Sequence, residues 1–123
     1  MMNNSIYQLI FDELSAYLIN GWDKLIVYLE YGEESYSFCF YEKVNEKYIK
    51  CFDILAVEEK DIDKSLKKIY EIVTPERNEL ENQWSNMTMI VESEGNIHTD
   101  FDYTDLSAGN YSYLKKWKEC YLV

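Results

Sequence analysis

The sequence contains few proline and glycine residues and no long apolar run, and each of these features excludes a class of protein. One Pro and four Gly among 123 residues leave no low-complexity or linker segment, so we expect one folded domain over residues 1–123. No apolar run approaches the roughly 20 residues of a membrane span, and the N-terminus lacks the pattern of a secretory signal. We therefore expect a cytoplasmic protein that does not enter a membrane.

Cysteine and histidine are also too few to indicate a disulfide framework or a zinc site. The three Cys have no CxxC spacing, which is typical of reduced thiols in a cytosolic protein, and there is a single His. We expect no metal and no cofactor. Cys39 and Cys51 lie on two consecutive predicted strands and come close if those strands pair about a turn near Asn45, although simple packing of small side chains is the favoured explanation.

Basic residues are also few. There are 12 Lys and Arg against 23 Asp and Glu, which gives a formal net charge of -11 at pH 7. Direct binding to nucleic acid is not expected, because phosphates are held by clustered Lys and Arg. Such a surface attracts a basic partner and raises the rate of encounter, while solubility alone is the simpler explanation of the charge.

Apolar spacing in the first half of the chain predicts one helix and three strands. Apolar residues at helical spacing indicate an amphipathic helix from Ser5 to Asn20. Three alternating or aromatic segments then predict strands at Lys24–Tyr31, Ser35–Glu42 and Lys47–Ile54. Their short polar connections are typical of an antiparallel meander.

The second half predicts a helix, a hairpin and a final helix. An apolar stripe indicates a helix over Asp61–Asn82, and Pro75 predicts a kink or a break into two helices there. A Glu94-Gly95-Asn96 turn signal predicts a hairpin within Trp84–Leu106. A last helix over Tyr111–Tyr121 is expected to dock on the sheet through Leu114, Trp117, Cys120 and Tyr121. The predicted class is α+β, an antiparallel sheet made of the meander and the hairpin with helices packed against it.

The second strand of the hairpin alternates between two kinds of side chain. Ile97, Thr99, Phe101 and Tyr103 alternate with His98, Asp100 and Asp102. Successive side chains of a strand point to opposite faces, so we expect one face to pack and the other to present negative charge.

Several of these features form a recognisable set: Trp84, the Thr88–Glu92 strand, Gly95, the string from Asp100 to Ser107 (DFDYTDLS) and Trp117. Together they resemble the YezG-like immunity proteins, and the resemblance covers most of the chain. It implies an antitoxin that binds the C-terminal domain of a cognate bacterial toxin, commonly a nuclease, in a contact-dependent or polymorphic toxin system. The expected mechanism is stoichiometric inhibition without catalysis.

Under this interpretation an acidic and aromatic face contacts the toxin near its nucleic-acid groove. The candidate residues are Glu33, Glu34, Glu92, Asp100, Asp102, Tyr103 and Asp105. Aromatic anchors tend to dominate interface energies, which favours Tyr103. Purely structural roles are the alternative, because Asp105 is also placed to cap a turn and Tyr103 to face the core.

A second hypothesis is a small metal- or ligand-binding enzyme domain. His98, Asp100 and Asp102 share one strand face, where they could bind a divalent metal or share a proton. The lone His has no second imidazole or Cys partner, and no nucleophile elbow, P-loop or dinucleotide motif is present. The enzyme hypothesis is therefore the less favoured of the two.

Overall fold

The computed structural model describes residues 4–123, which form three α-helices and one five-stranded sheet. The helices are α1 (Asn4–Leu14), α2 (Glu59–Asn78) and α3 (Tyr111–Tyr121), and the strands are β1 (Trp22–Tyr31), β2 (Tyr36–Val44), β3 (Lys47–Lys50), β4 (Asn86–Glu92) and β5 (Ile97–Asp102). No helix among these residues is both long and apolar enough to cross a membrane.

All strands pair antiparallel in the order β3-β2-β1-β4-β5, which confirms the predicted α+β class. The C-terminal hairpin extends the meander by pairing β4 with the free edge of β1. As the central strand, β1 is covered on both faces, which explains its unbroken apolar run from Leu25 to Leu29. The sheet thus has two packed faces, and the helices divide between them.

One face of the sheet holds the main core beneath α1 and α2. Leu25, Val27 and Leu29 of β1 pack there in one buried cluster with Ile10 of α1 and Ile69 of α2. The apolar spacing of both helices places such residues on one stripe each. This core layer supports the sheet from one side, and the polar features lie on the opposite face.

The helix α1 and the strand β3 end earlier than predicted. α1 stops at Leu14 and is followed by a 3-10 turn at Ser15–Tyr17, whose Ser15 hydroxyl donates a 2.9 Å hydrogen bond to the Asp12 carbonyl. β3 stops at Lys50 and is followed by a 3-10 turn at Cys51–Asp53. In both places the apolar pattern continues past the regular element, because Tyr17 of the first turn packs partly buried against the core and Cys51 of the second turn is buried in it.

The predicted break at Pro75 is wrong. α2 runs through Pro75 as one helix and ends at Asn78. Pro75 lies in the last turn at an exposed position, and the carbonyl it leaves without an amide partner belongs to the exposed Glu71. Water can hydrate a carbonyl there, so the lost hydrogen bond does not end the helix.

α3 docks on the face of the sheet opposite α1 and α2. Trp117 is buried there in a second cluster with Ile26, Tyr28 and Tyr41, and Leu114 and Tyr121 are partly buried against it. These contacts confirm the predicted docking, but Cys120 is exposed and does not take part. Consequently α3 packs over part of the strand face that was predicted to present negative charge.

Candidate functional site

The aspartate face of β5 continues across the sheet as rows of polar side chains. The register aligns Glu30 of β1, Asn86 of β4 and Asp102 of β5 in one row. In the next row Tyr28, Thr88 and Asp100 are aligned in the same way. Glu30, Asn86 and Thr88 are buried, so these rows lie beneath α3 and not in open solvent. The predicted negative face is therefore a hydrogen-bonded layer that is buried at β1 and β4 and only partly buried at Asp100 and Asp102 of β5.

Trp117 joins α3 to the centre of this layer. Its indole N–H donates a 2.8 Å hydrogen bond to the Thr88 hydroxyl, which in turn donates to the Asn86 side-chain oxygen at 2.9 Å. The Asn86 amide nitrogen donates to the Leu29 carbonyl at 3.2 Å. The indole ring meets the Tyr28 ring edge-on at 4.7 Å between centroids. The Trp117 indole N–H, the Thr88 hydroxyl and the Asn86 amide thus each find a partner in this series of hydrogen bonds, as burial requires.

Two tyrosines of α3 bind the aspartates of β5. The Tyr113 hydroxyl donates to Asp102 at 3.0 Å, and the Tyr121 hydroxyl donates to Asp100 at 2.8 Å. Burial and then the aspartate contact raise the pKa of each hydroxyl, to about 12 for Tyr121. Hydrogen bonds from the hydroxyl and amide of Thr104 lower the pKa of Asp102. Asp100 and Asp102 therefore hold α3 in place by accepting hydrogen bonds from its two tyrosines.

The start of α3 is fixed by a buried glutamate. The Asn110 amide nitrogen donates to both carboxylate oxygens of Glu30, at 2.9 and 3.0 Å. The Tyr28 hydroxyl donates to the same carboxylate, and burial together with this contact raises the pKa of Tyr28. Sequence patterns did not reveal this network, because Glu30 stands in a strand with no sign of its burial and Asn110 lies 80 positions away.

A cleft of about 540 Å³ opens between α3 and the edge strand β5. Its lining residues are Asn86, Asp100, Phe101, Asp102, Thr104, Ser112, Tyr113, Lys116, Trp117, Cys120 and Tyr121. The two aspartates inside it already accept hydrogen bonds from tyrosines of its wall. The cleft therefore presents aromatic side chains and carboxylates that already accept hydrogen bonds.

Two loops meet at one end of the sheet and carry exposed acidic and aromatic side chains. The β1–β2 loop contributes Glu33 and Glu34, and the β5–α3 loop contributes Tyr103 and Asp105. Glu33, Tyr103 and Asp105 line one shallow depression of about 290 Å³. A Cβ added at Gly32 would lie 3.7 Å from the Leu106 carbonyl oxygen, so the loops adjoin. We call these four residues the acidic loop end.

The conformation of the acidic loop end is set locally. The Asp105 carboxylate accepts the Ser107 amide at 2.9 Å, which lowers the pKa of Asp105 and orders the turn, as the capping alternative predicted. Leu106 is buried and anchors the same loop. Tyr103 has 53% of its surface exposed and so does not face the core. The loop thus presents Tyr103 to solvent on a fixed turn.

Glu92 lies at the opposite end of the sheet. It pairs with Lys24 at the start of β1, whereas Asp102 is aligned with Glu30 near the end of β1. Glu92 lies six positions after Asn86 in β4, a distance of about 20 Å along a strand. The seven candidate residues therefore divide into the acidic loop end, the partly buried pair Asp100 and Asp102, and the remote Glu92.

The side chains of the enzyme hypothesis do not converge on one point. His98 Nε2 lies 2.8 Å from Asp100 Oδ1, which forms an exposed contact along the strand. Asp102 instead binds Thr104 and Tyr113. Within residues 4–123 no three His, Cys, Asp or Glu side chains are grouped so as to hold a metal ion.

Tyr111 is a strongly exposed aromatic residue that the sequence prediction did not include. Tyr111, at the start of α3, has 82% of its surface exposed and lines a depression with Asp105 in the β5–α3 loop. The sequence offered no signal for it, because the 12 Tyr occur in all parts of the chain and most such residues pack. Tyr111 extends the aromatic part of this end of the molecule.

Comparisons with known proteins bear on this arrangement. A family model described as YezG-like immunity protein matches residues 3–121, which include the hairpin, α3 and both loops of the acidic loop end. The immunity protein YezG of Bacillus subtilis (strain 168) is 27% identical over 125 residues, covering 92% of this chain and 83% of the relative. The match therefore extends over nearly the whole fold.

Proposed function

Because the chain belongs to the family of YezG-like immunity proteins, it has an immunity role, and we propose that it neutralises a basic nuclease domain of a cognate bacterial toxin. The proposed mechanism is stoichiometric binding without chemistry. The toxin domain is the C-terminal part of a contact-dependent or polymorphic toxin. Binding in the cytoplasm of the producing cell or its siblings keeps the nuclease from its substrate.

The charge of the chain supports a nuclease as the target. A nuclease cleft that grips phosphates is lined by Lys and Arg, and a protein with a net charge of -11 complements it. Complementary charge raises the association rate and disfavours partners of the wrong sign. Rapid association suits an inhibitor that must act before the toxin reaches nucleic acid.

The acidic loop end is the surface we assign to the toxin. Glu33, Glu34 and Asp105 form no ion pair among residues 4–123, so their charge is available to a partner. Tyr103 stands among them as an exposed aromatic side chain on an ordered turn. An ordered aromatic residue loses little conformational entropy on binding, which makes Tyr103 the proposed anchor.

The two partly buried aspartates of β5 have a supporting role in this proposal. Asp100 and Asp102 hold Tyr121 and Tyr113, so they fix α3 and the strand from which the Tyr103 loop begins. Their charge adds to the field of the same sheet edge. Glu92, at the far end, contributes to the long-range field only.

The proposal is tested by co-purifying the tagged full-length chain with the C-terminal domain of the toxin encoded beside it. A stable complex in which the domain no longer cleaves nucleic acid supports the proposal. If a complex forms and the isolated domain cleaves neither DNA nor RNA, the nuclease assignment is wrong although the immunity role stands. If no complex forms, the assumed pairing of the two proteins is wrong.

A further inference from the structure

Two of the three cysteines lie in contact on the β2–β3 side of the sheet. Cys39 Sγ and Cys51 Sγ are 3.5 Å apart, and both are free thiols. Cys51 is fully buried, whereas Cys39 is partly exposed. Cys120, exposed on α3, belongs to a different part of the molecule.

The β2–β3 hairpin brings the pair together. Asn45 and Glu46 both adopt positive φ, 51° and 67°, which suits a two-residue turn between twisted antiparallel strands. The resulting register places Tyr41 opposite Lys50, and the chain then turns at Cys51 into the 3-10 segment. Cys39 and Cys51 therefore face each other diagonally across the point where β3 ends.

We propose that Cys39 and Cys51 are a redox modification site that low-molecular-weight disulfides convert to an intramolecular disulfide. A disulfide needs a sulfur separation of about 2.05 Å, so the sulfurs must approach by about 1.5 Å. Cys51 lies in a short 3-10 turn at the end of edge strand β3, where a small shift disturbs few strand hydrogen bonds. This inference is independent of the proposed toxin partner.

The surroundings assign different roles to the two sulfurs. The Cys51 thiol is placed to donate to Cys39, which lowers the pKa of Cys39, and the charge of Lys50 acts in the same direction. The same contact, followed by burial, raises the pKa of Cys51. Cys39 is therefore the attacking thiolate, since it is both the more accessible and the more readily ionised.

The reaction proceeds by two thiol–disulfide exchanges. The Cys39 thiolate attacks one sulfur of the small disulfide, whose S–S bond breaks and releases one small thiolate, which is then protonated. Cys51 then loses its proton and attacks the Cys39 sulfur of the mixed disulfide, displacing the second small thiol. In total two protein thiols are oxidised and one small disulfide is reduced to two thiols.

The product would link the middle of β2 to the turn after β3. That link restrains the segment following Cys51, in which Phe52 and Leu55 are exposed by 36% and 91%. Edge strand β3 pairs only with β2, so a covalent link there limits its separation from the sheet.

The test exposes the folded full-length chain to oxidised glutathione, alkylates the remaining thiols in denaturant and maps the peptides without reduction. We expect the number of free thiols to fall from three to one, with a linked Cys39–Cys51 peptide and an alkylated Cys120. Cys120→Ala is the matched control and should lose two thiols in the same way. In Cys51→Ala the reaction should stop with one glutathione on Cys39.

The wild-type peptide map decides the outcome even if the buried Cys51→Ala variant does not fold. Alkylated Cys39 and Cys51 after treatment would overturn the proposal. So would a Cys39–Cys51 link that forms only in denaturant, or oxidation confined to Cys120. Cys39→Ser, at the partly exposed position, gives a second check, because it should leave Cys51 unmodified in the folded protein.

Discussion

The Trp117 indole donates its N–H to the Thr88 hydroxyl at 2.8 Å, and this bond joins the buried residue of α3 to the centre of the sheet. The indole also contacts the rings of Tyr28 and Tyr41, so packing and hydrogen bonding act at one point. α3 in turn begins where the loop bearing Tyr103 and Asp105 ends. The position of the Tyr103 and Asp105 loop thus depends on how firmly α3 is docked.

The first prediction concerns this bond. Thr88→Val removes the acceptor and leaves the buried Trp117 N–H unpaired, so the free energy of unfolding should fall by about 1–3 kcal/mol. Trp117→Phe should also destabilise the protein. The double variant should lose less free energy of unfolding than the sum of the two single variants, because it contains no indole N–H without a partner. Urea unfolding of the four proteins measures this coupling, with exposed Tyr111→Ala as a control expected within about 0.5 kcal/mol of wild type. Strict additivity would contradict the assigned bond.

The second prediction is a loss of stability in acid that depends on Asp102. Its carboxylate accepts hydrogen bonds from Thr104 and Tyr113, which lower its pKa in the folded protein. A lowered pKa gives stability that is present above the unfolded value of about 3.9 and is lost as the pH falls through the folded pKa. Asp102→Asn should therefore destabilise at pH 7 and have a smaller effect near pH 2.5, as judged by urea midpoints. The exposed Glu119→Gln serves as the control, and an Asp102→Asn effect that is constant over this range would refute the assignment.

The third prediction concerns Glu42, whose contribution to stability should change with pH in the direction opposite to that of Asp102. This side chain is fully buried; its Oε1 accepts the Ile19 amide at 2.7 Å, and its Oε2 has no partner among the described residues. Burial raises its pKa, so the stability it confers is present below the unfolded value of about 4.3 and is lost as the pH rises through the folded pKa. Glu42→Gln should be more stable than wild type at pH 8 and lose that advantage near pH 4. Each unit by which folding raises the pKa corresponds to about 1.4 kcal/mol. Parallel stability profiles of the two proteins would show that Glu42 is not responsible.

The fourth prediction locates the toxin surface. Glu33→Lys with Asp105→Lys should slow association with the toxin domain and make it less dependent on salt. Glu92→Lys with Glu94→Lys changes the net charge by the same amount at the opposite end of the sheet and is the matched control. Stopped-flow association at several salt concentrations should show a clearly larger decrease for the first pair. Equal decreases would mean that only net charge matters, and a larger decrease for the control pair would move the interface to the far end.

Much of the fold could be predicted because it depends on local periodicity. The helical stripe containing Ile62, Ile69 and Val73 and the turn signal at Gly95 located α2 and the hairpin correctly. The same reasoning anticipated the approach of Cys39 and Cys51, since a short turn sets the register of two adjacent strands. The prediction at Pro75 was wrong, because a proline in the exposed last turn of a helix leaves a carbonyl to which water can donate a hydrogen bond.

The site was harder to predict because it depends on contacts between distant segments. Alternation correctly placed Asp100 and Asp102 on one face of β5, yet it could not show that Tyr121 and Tyr113 of α3 cover that face. Nor could spacing along the chain show that Glu33 lies beside Asp105, because that proximity arises from the pairing of β4 with β1.

The most direct measurement is a titration of the proposed nuclease activity of the toxin domain with increasing amounts of the purified chain. Stoichiometric inhibition predicts a linear fall that reaches zero at one immunity protein per toxin domain, with activity recovered when the complex is dissociated in denaturant and the toxin is refolded. Complete inactivation at a small fraction of that ratio would indicate catalysis and contradict the account. Full activity in the presence of excess immunity protein would contradict it as well.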